Sequence, residues 1–169
     1  MVVRPVGIYG PGDMRFLKLF KHIQNRKFMM FGNGEVLYHL THVDDLAAGI
    51  ILSGEKERAL GQVYTIAGNE YVTLNQLVSQ IAECLQVPVP RWRLPFWPLW
   101  AASLGCEILC KPLGVEPPLY RRRADFFRKD RAFDISKAKD ELDFSPTIDL
   151  PTGLQRTATW YKQHGHLKV

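Results

Sequence analysis

The sequence predicts an α/β fold in which short buried strands alternate with amphipathic helices. Apolar residues recur at two spacings along the chain: a period of two, typical of strands, and a helical period of three to four. The chain of 169 residues, with 46% hydrophobic and 23% charged residues, is typical of one soluble globular domain. It contains no internal repeat and no low-complexity tract that would indicate another architecture.

The first predicted element is a strand that ends in a turn rich in glycine and proline. Val2 and Val3 indicate a buried strand, and Pro5 interrupts its pairing because proline has no N–H to donate. The turn at residues 10–13 follows, and Asp13 stands where a helix N-cap is expected. Open α/β sheets bind ligands where a strand ends in such a loop. We therefore expect parallel neighbours for this strand and a ligand site near its end.

The remaining elements follow from the same periodicities and from their flanking turn residues. Thr73 and Gln76 have the spacing of a capping box, and Pro151 suits the first turn of a helix. The predicted helices are residues 13–24, a helix capped by Asp44 or Asp45 that runs to 57, and helices beginning at Thr73, at Ser136 and near Pro151. The further predicted strands are residues 27–31, 36–43, 62–67 and 132–135.

Residues 94–113 form an apolar helical subregion that stands apart from the rest. A membrane span needs about 20 uninterrupted apolar residues, and here Pro95, Pro98, Glu107 and Lys111 interrupt the stretch, so we expect no span. One interpretation is a core helix of a small lobe. The other is a wall of an apolar substrate pocket, or an interfacial helix whose tryptophans contact a membrane surface.

Four motifs carry a resemblance to a known family. They are RPVGIYGPGD at residues 4–13, THVDDLA at 41–47, GQVYTIAG at 61–68, and FDISKA at 133–138 with Gly153-Leu154. In this order and spacing they resemble the extended short-chain dehydrogenase/reductase family. That family includes the NAD-dependent sugar-nucleotide epimerases and dehydratases and the 3β-hydroxysteroid dehydrogenase-like enzymes. The resemblance covers nearly the whole chain and implies a Rossmann-like, doubly wound fold.

Two motifs that the family uses for chemistry are absent from this sequence. No set of glycines forms the phosphate-binding fingerprint of a dinucleotide fold, since Arg15 occupies the third glycine position after Gly10 and Gly12. No tyrosine has a lysine four residues later, so the family's acid/base pair is absent too. We therefore expect the C-terminal part of the doubly wound fold: its last parallel strands and a small α/β substrate lobe, residues 1–169, without the N-terminal dinucleotide-binding half.

The resemblance also implies roles for individual residues, none of them catalytic. Pro5, Val6 and Ile8 match positions that flank the nicotinamide of the cofactor. A second group matches the substrate side: Gly7, Tyr9, Gly10, Pro11, Tyr38, His39 and Arg122. The cofactor of the whole enzyme is NAD or NADP, and we expect this chain alone not to bind it.

Two positions favour an apolar substrate over a nucleotide sugar. Sugar-nucleotide members usually carry Asn at the place of Gly7, and often Arg at the place of Tyr38, to hold the diphosphate. The first hypothesis is therefore an NAD(P)-dependent oxidoreductase of a hydrophobic secondary alcohol or ketone, 3β-hydroxysteroid dehydrogenase-like. Arg121–Arg123 could instead contact a diphosphate, which keeps a sugar-nucleotide epimerase or dehydratase as the alternative. A third hypothesis is a non-catalytic module that docks on a nucleotide-binding partner.

The net charge and the cysteine content restrict the remaining functional classes and the cellular environment. The net charge of +5 comes largely from basic residues between 120 and 131, which favour a solvated face or a diphosphate contact over nucleic acid. Three cysteines, an odd number without a secretory signal, indicate a reducing, cytoplasmic environment, with membrane association through residues 94–113 as one interpretation. Cys106 and Cys110 lack further ligands nearby, so no metal site is expected.

Overall fold

The computed structural model describes residues 1–110 and 125–168, without the side chains of 105 and 107–110. The strands in these ranges are β1 (Val2–Pro5), β2 (Gly7–Tyr9), β3 (Met30–Phe31), β4 (Leu37–His42), β5 (Val63–Ile66), β6 (Tyr71–Thr73) and β7 (Arg93–Leu94). The helices are α1 (Leu17–Gln24), α2 (Val43–Glu55), α3 (Leu74–Cys84), α4 (Phe96–Cys110), α5 (Ser136–Leu142) and α6 (Leu150–Gln163). The mixed α/β class predicted from the sequence is confirmed.

The first predicted strand is two strands that have different neighbours. β1 pairs in parallel with β5, whereas β2 pairs in parallel with β4, which is antiparallel to β6. The change of neighbour falls at Pro5 and Val6, where the Val6 N–H still donates to the Ile66 carbonyl at 3.2 Å. The Gly68 N–H donates to the Leu40 carbonyl at 2.8 Å and joins the two sheets beyond this point. A third pair, β3 with β7, is also parallel.

Two clusters of buried apolar residues hold these layers together. The larger cluster lies between the β2–β4–β6 sheet and helices α1, α3 and α6, and it includes the fully buried Phe20, Leu77 and Tyr161. The smaller cluster lies between the β1–β5 pair and helices α2 and α5, around Tyr64 and Ile66. β1 and β5 therefore bury one face in the smaller cluster.

Two predicted helix caps are wrong. Asp13 does not cap α1, which begins at Leu17; its carboxylate accepts the N–H groups of Arg15 and Phe16 at 3.0 and 3.3 Å. Neither Asp44 nor Asp45 caps α2. His42 is the N-cap, and its Nδ1 accepts the Asp44 N–H at 3.3 Å. β4 passes directly into α2, so the last strand residue occupies the cap position.

The capping box on α3 is confirmed, because Thr73 and Gln76 each accept a backbone N–H of the other. Pro151 lies in the first turn of α6, as predicted, and Asp149 caps that helix. The predicted strand at 132–135 is wrong: only an isolated bridge joins neighbouring Arg131 to Tyr38.

Helix α4 accounts for most of the apolar subregion, and residues 111–113 lie outside the described part. None of the helices among the described residues has the length and apolar character needed to cross a membrane.

Candidate substrate site and cofactor contact

A polar cleft of about 300 Å³ lies against one face of β4. Alternate residues of a strand project to the same face, and here these are residues 38, 40 and 42. Tyr38, Leu40 and His42 line it from this strand, and Tyr9 lines it from the end of β2. The opposite wall is the chain from Thr147 to Leu150, which leads into α6. The cleft therefore brings together two of the predicted substrate residues, Tyr9 and Tyr38.

Tyr9 is a packed side chain in this cleft. Its ring stands edge-on to His42 at 5.4 Å between centroids. On its other side Tyr9 lies directly against Gly153 of α6, where a Cβ would come within 2.3 Å of the phenol oxygen. Burial raises the pKa of Tyr9 well above its usual range, and the Asp45 and Asp149 carboxylates raise it further. The phenol therefore holds its proton more strongly than a solvent-exposed tyrosine does.

His42 and Asp45 fix the walls of the cleft from the start of α2. The His42 side chain is buried, and burial lowers its pKa against the opposing effect of Asp44 and Asp45. The buried Asp45 carboxylate accepts hydrogen bonds from the Thr147 N–H at 2.9 Å, the Thr147 hydroxyl at 3.0 Å and the Ile148 N–H at 3.2 Å. Asp45 therefore holds the loop that enters α6 against α2.

Tyr38 separates the polar cleft from a second, larger cavity. Its hydroxyl donates to the Phe126 carbonyl and accepts from Arg131 Nη1 at 2.8 Å. The Arg131 guanidinium also lies over the Tyr38 ring, 5.1 Å from the centroid. Burial raises the pKa of Tyr38, although Arg131 acts in the opposite direction. The Arg131 guanidinium therefore lies beside both the hydroxyl and the ring of Tyr38.

The second cavity, which we call the aromatic groove, has a volume of about 610 Å³. Its apolar lining comes from Leu19 of α1, from the chain into β3, and from the short helical turn Asp125–Phe127. The aromatic lining residues are Phe28, Phe31, Phe126 and Phe127. Phe127 packs against Phe31 at 5.2 Å and against Phe126 at 5.0 Å between ring centroids. The groove is large enough for a rigid apolar molecule of drug size.

Basic side chains line the rim of this groove: Arg15, Lys18, His22, Lys27 and Arg131. Arg15 also joins the rim to the end of β2, because its Nη2 donates to the Ile8 carbonyl at 3.1 Å. The groove therefore opens close to the residues predicted to flank the nicotinamide.

The predicted cofactor residues lie along the chain from the end of β1 into β2, and Ile8 packs against the smaller core cluster. Pro5 is exposed, and Val6 and Ile8 are half-buried. A Cβ at Gly7 would come within 2.7 Å of Leu40 Cδ2, so a larger residue here would require the Leu40 side chain to move.

The other predicted substrate residues are dispersed. Gly10 is buried with φ of +143°, close to Val43, and Pro11 is exposed on the turn. His39 points to the opposite side of β4: its Nδ1 accepts the Phe133 N–H at 3.3 Å, so its Nε2–H donates to the Gly68 carbonyl at 2.8 Å. Both nitrogens are committed to backbone, which disfavours the predicted substrate contact. Arg122 lies outside the described residues.

The loop at residues 10–13 does not fit a pyrophosphate. The Asp13 carboxylate already accepts the N–H groups of Arg15 and Phe16, which a phosphate would need. These two amides are therefore not free to bind a phosphate.

Sequence reasoning missed the aromatic groove. Its residues come from three separated segments that the fold brings together, and none of these segments contains a recognisable motif. The adjacent pair Phe126-Phe127 beside Arg128 was the one available signal, because paired aromatics in a basic loop are unusual for a solvated face.

Comparison with known proteins places these features in a family context. Residues 1–67 match the NAD dependent epimerase/dehydratase family. Short-chain dehydrogenase/reductase family 42E member 1 of Mus musculus is 31% identical over 97% of this chain and 44% of its own length. The 3beta-hydroxysteroid-dehydrogenase/decarboxylase isoform 1 of Arabidopsis thaliana is 30% identical over 99% of this chain and 40% of its own.

Solved structures agree with the fold. The crystal structure of gox2253 is 26% identical with a TM-score of 0.76, over 98% of this chain and 50% of that one. UDP-glucuronic acid 4-epimerase from Bacillus cereus in complex with NAD has a TM-score of 0.68 at 24% identity, over 96% of this chain and 44% of that one. The Rossmann-like α/β class is therefore confirmed. The chain spans about half the length, or somewhat less, of the relatives that it matches.

Proposed function

We propose that this chain forms the substrate-binding, C-terminal part of an NAD(P)-dependent oxidoreductase that acts on a hydrophobic secondary alcohol or ketone. The observation that carries the proposal is the aromatic groove, whose floor consists of four phenylalanines and which opens beside the end of β2. An apolar floor with polar groups only at the rim suits a substrate with a large apolar body.

The roles of the chain's own residues are binding and orientation. Phe31 and Phe127 would contact the apolar body of the substrate, and Pro5, Val6 and Ile8 would pack against the nicotinamide. The cofactor supplies the hydride chemistry when bound. Because Asp13 occupies the amides that a phosphate needs, we propose that a nucleotide-binding unit outside this chain holds the rest of the dinucleotide.

One similarity supports this substrate class, and a second supports the type of reaction. The Arabidopsis relative is named as a 3beta-hydroxysteroid-dehydrogenase/decarboxylase, and it aligns with 99% of this chain. The Mus musculus relative is named as a short-chain dehydrogenase/reductase.

Calorimetric titration with a neutral steroid ketone tests the substrate proposal. We expect binding by the chain, and Phe127→Ala should weaken it at least about tenfold because an aromatic contact at the floor is lost. Phe133→Ala is the matched control, since Phe133 is exposed and does not line the groove. Equal weakening by both variants, or no binding by the wild type, would contradict the proposal.

Titration with NAD and NADP tests the cofactor proposal separately. We expect no binding in the micromolar range by this chain alone, and binding after it is co-expressed with the unmatched half of the Escherichia coli relative YbjS, which is 26% identical over 98% of this chain. Micromolar binding by the chain alone would show that the loop at residues 10–13 does accept the phosphates.

A sugar-nucleotide substrate is the second candidate, and Arg131 is the observation that favours it. Its guanidinium lies over Tyr38, at the place where sugar-nucleotide members often carry arginine in β4. Titration with UDP-glucose separates the two: binding of UDP-glucose without binding of the steroid would favour this candidate.

The third candidate is a non-catalytic module that docks on a nucleotide-binding partner. The uncovered face of the β1–β5 pair favours it, because parallel sheets are normally covered on both faces. A stable complex that binds NAD but oxidises neither class of substrate would support this candidate over the other two.

A further inference from the structure

We propose that Trp92, Trp97 and Trp100, together with Arg91, form a surface that docks on an anionic lipid bilayer. We call these four residues the tryptophan surface. The proposal does not depend on the oxidoreductase function, because none of the four lines the aromatic groove or the polar cleft.

The three tryptophans are exposed to an unusual degree. The exposed fractions are 74% for Trp92, 71% for Trp97 and 41% for Trp100. Trp97 and Trp100 are three residues apart in α4 and are therefore neighbours on that helix, and Trp92 precedes β7, which leads into it. Exposed large apolar side chains at neighbouring positions usually mark an interaction site. By contrast Trp160, the fourth tryptophan, is stacked on His164 at 4.1 Å between ring centroids.

Helix α4 is apolar on its outer side as well as on its inner side. Its inward positions follow helical spacing, with Phe96 and Leu99 half-buried and Ser103 buried. The outward positions are Trp97, Trp100 and small apolar residues, and the first charged residue of the helix is Glu107. A helix that faces water on one side normally carries polar residues there. The outer side of α4 therefore has the composition of a contact surface.

Basic groups stand next to Trp92. Arg91, Trp92 and Arg26 line one shallow hollow of about 350 Å³ in front of β7. Arg93 fixes the strand to the body of the protein, because its Nη1 donates to the Asn33 carbonyl at 2.9 Å and its Nη2 to Asn75 Oδ1 at 3.2 Å. The surface is thus held in a defined position.

The combination of tryptophan and arginine favours an anionic lipid bilayer as the partner of this surface. Tryptophan rings are enriched at the level of lipid headgroups, where one edge is apolar and the indole N–H meets water. Arginine near the surface attracts anionic lipids. A protein partner or a second copy of the chain would instead require complementary acidic and apolar groups.

Vesicle binding of the chain tests the proposal. Tryptophan emission and co-sedimentation are measured with vesicles of phosphatidylcholine alone and of phosphatidylcholine with 30% phosphatidylglycerol. We expect binding to the anionic vesicles to be at least about tenfold stronger, with a blue shift of the emission. The double variant Trp97→Ser, Trp100→Ser should weaken binding at least about tenfold. The matched control Trp160→Phe should retain both the binding and the shift.

A charge variant tests the electrostatic part. Arg91→Gln should weaken binding to the anionic vesicles about fivefold and leave binding to neutral vesicles unchanged. Lys139→Gln, an exposed residue of α5, is the control and should leave both unchanged.

Three results would overturn the proposal. One is no binding of the folded wild type to anionic vesicles. Another is equal weakening by the double variant and by Trp160→Phe while circular dichroism shows both to be folded. The third is light scattering, without lipid, that shows the double variant converting an oligomer to a monomer, which would assign the surface to a second copy of the chain.

Discussion

The contact between Tyr9 and Gly153 shows how one missing side chain positions the candidate site. α6 can approach the end of β2 only because residue 153 has no Cβ, which would lie 2.3 Å from the Tyr9 phenol oxygen. Tyr9 in turn packs edge-on against His42. Gly153, which belongs to one of the family motifs in the sequence, is therefore required at this position for steric reasons.

Substitution of this glycine should destabilise the fold. Gly153→Ala forces Tyr9 or α6 to move, and overpacking of this kind costs about 1–3 kcal/mol of unfolding free energy in urea titrations. Gly54→Ala is the matched control in α2, where a Cβ meets nothing within 4 Å. The control should be stabilised by roughly 0.5–1 kcal/mol through helix propensity. Equal effects of the two variants would show that the Tyr9 contact is not tight.

Adjacent acids at the start of α2 have different roles. Asp45 is buried and accepts three hydrogen bonds from Thr147 and Ile148, whereas Asp44 is exposed and lies 3.7 Å from Arg156. Asp45→Ala should lower the unfolding free energy by about 3 kcal/mol, because buried donors lose a charged acceptor. Asp44→Ala should cost less than about 1 kcal/mol. Urea titration of both variants checks this, and a reversed order would contradict the assignment.

His42 makes stability depend on pH in a defined direction. Burial holds the pKa of folded His42 below its ordinary value of 6.5. As the pH falls below about 6.5, the unfolded chain binds a proton that the folded chain resists, so the free energy of unfolding decreases. Above that pH the contribution of His42 is constant.

The variant His42→Asn isolates this effect. Asparagine can still cap α2 but does not titrate. We expect the wild type to lose more stability than the variant between pH 7.5 and 5.5 in urea titrations. Equal losses would show that other groups cause the pH dependence.

At the scale of elements, the sequence indicates where strands and helices lie better than where they end. The apolar runs in β4 and β5 and the capping box of α3 were predictable, because period and cap chemistry are local. The starts of α1 and α2 were not, since they depend on how β2 and β4 pass into the next element. The short strands β6 and β7 pair with distant partners, which local patterns do not reveal.

The same distinction between local and long-range information applies to the residues of the candidate site. Tyr9 and Tyr38 were predicted from family motifs, and the structure places both in the polar cleft. Arg131 was not predicted, because its relation to Tyr38 crosses 93 residues of sequence and exists only in the folded chain. His39 was predicted from the same family resemblance, but strand alternation turns its side chain away from that of Tyr38.

At the scale of the whole molecule, the β1–β5 pair is covered by helices of the described fold on one face only. Its inner face packs on α2 and α5, while Val2 and Val63, neighbours in register, are 50% and 40% exposed. The N–H groups of Val2 and Val6 point toward β5, so the backbone groups of Val3 face the other edge of β1. Such an edge pairs readily with another strand.

This uncovered pair should make the chain self-associate as its concentration rises. Placing charge on the exposed face opposes strand and sheet association, so the double variant Val2→Lys, Val63→Lys should remain monomeric at concentrations where the wild type does not. Light scattering over a concentration series measures the difference, and the unfolding free energy should change by no more than about 1 kcal/mol. Val89→Lys is the control, since Val89 is 48% exposed and lies beside Trp92 rather than on β1 or β5. If Val89→Lys abolishes association and the double variant does not, the association contact lies beside Trp92 and not on the β1–β5 pair.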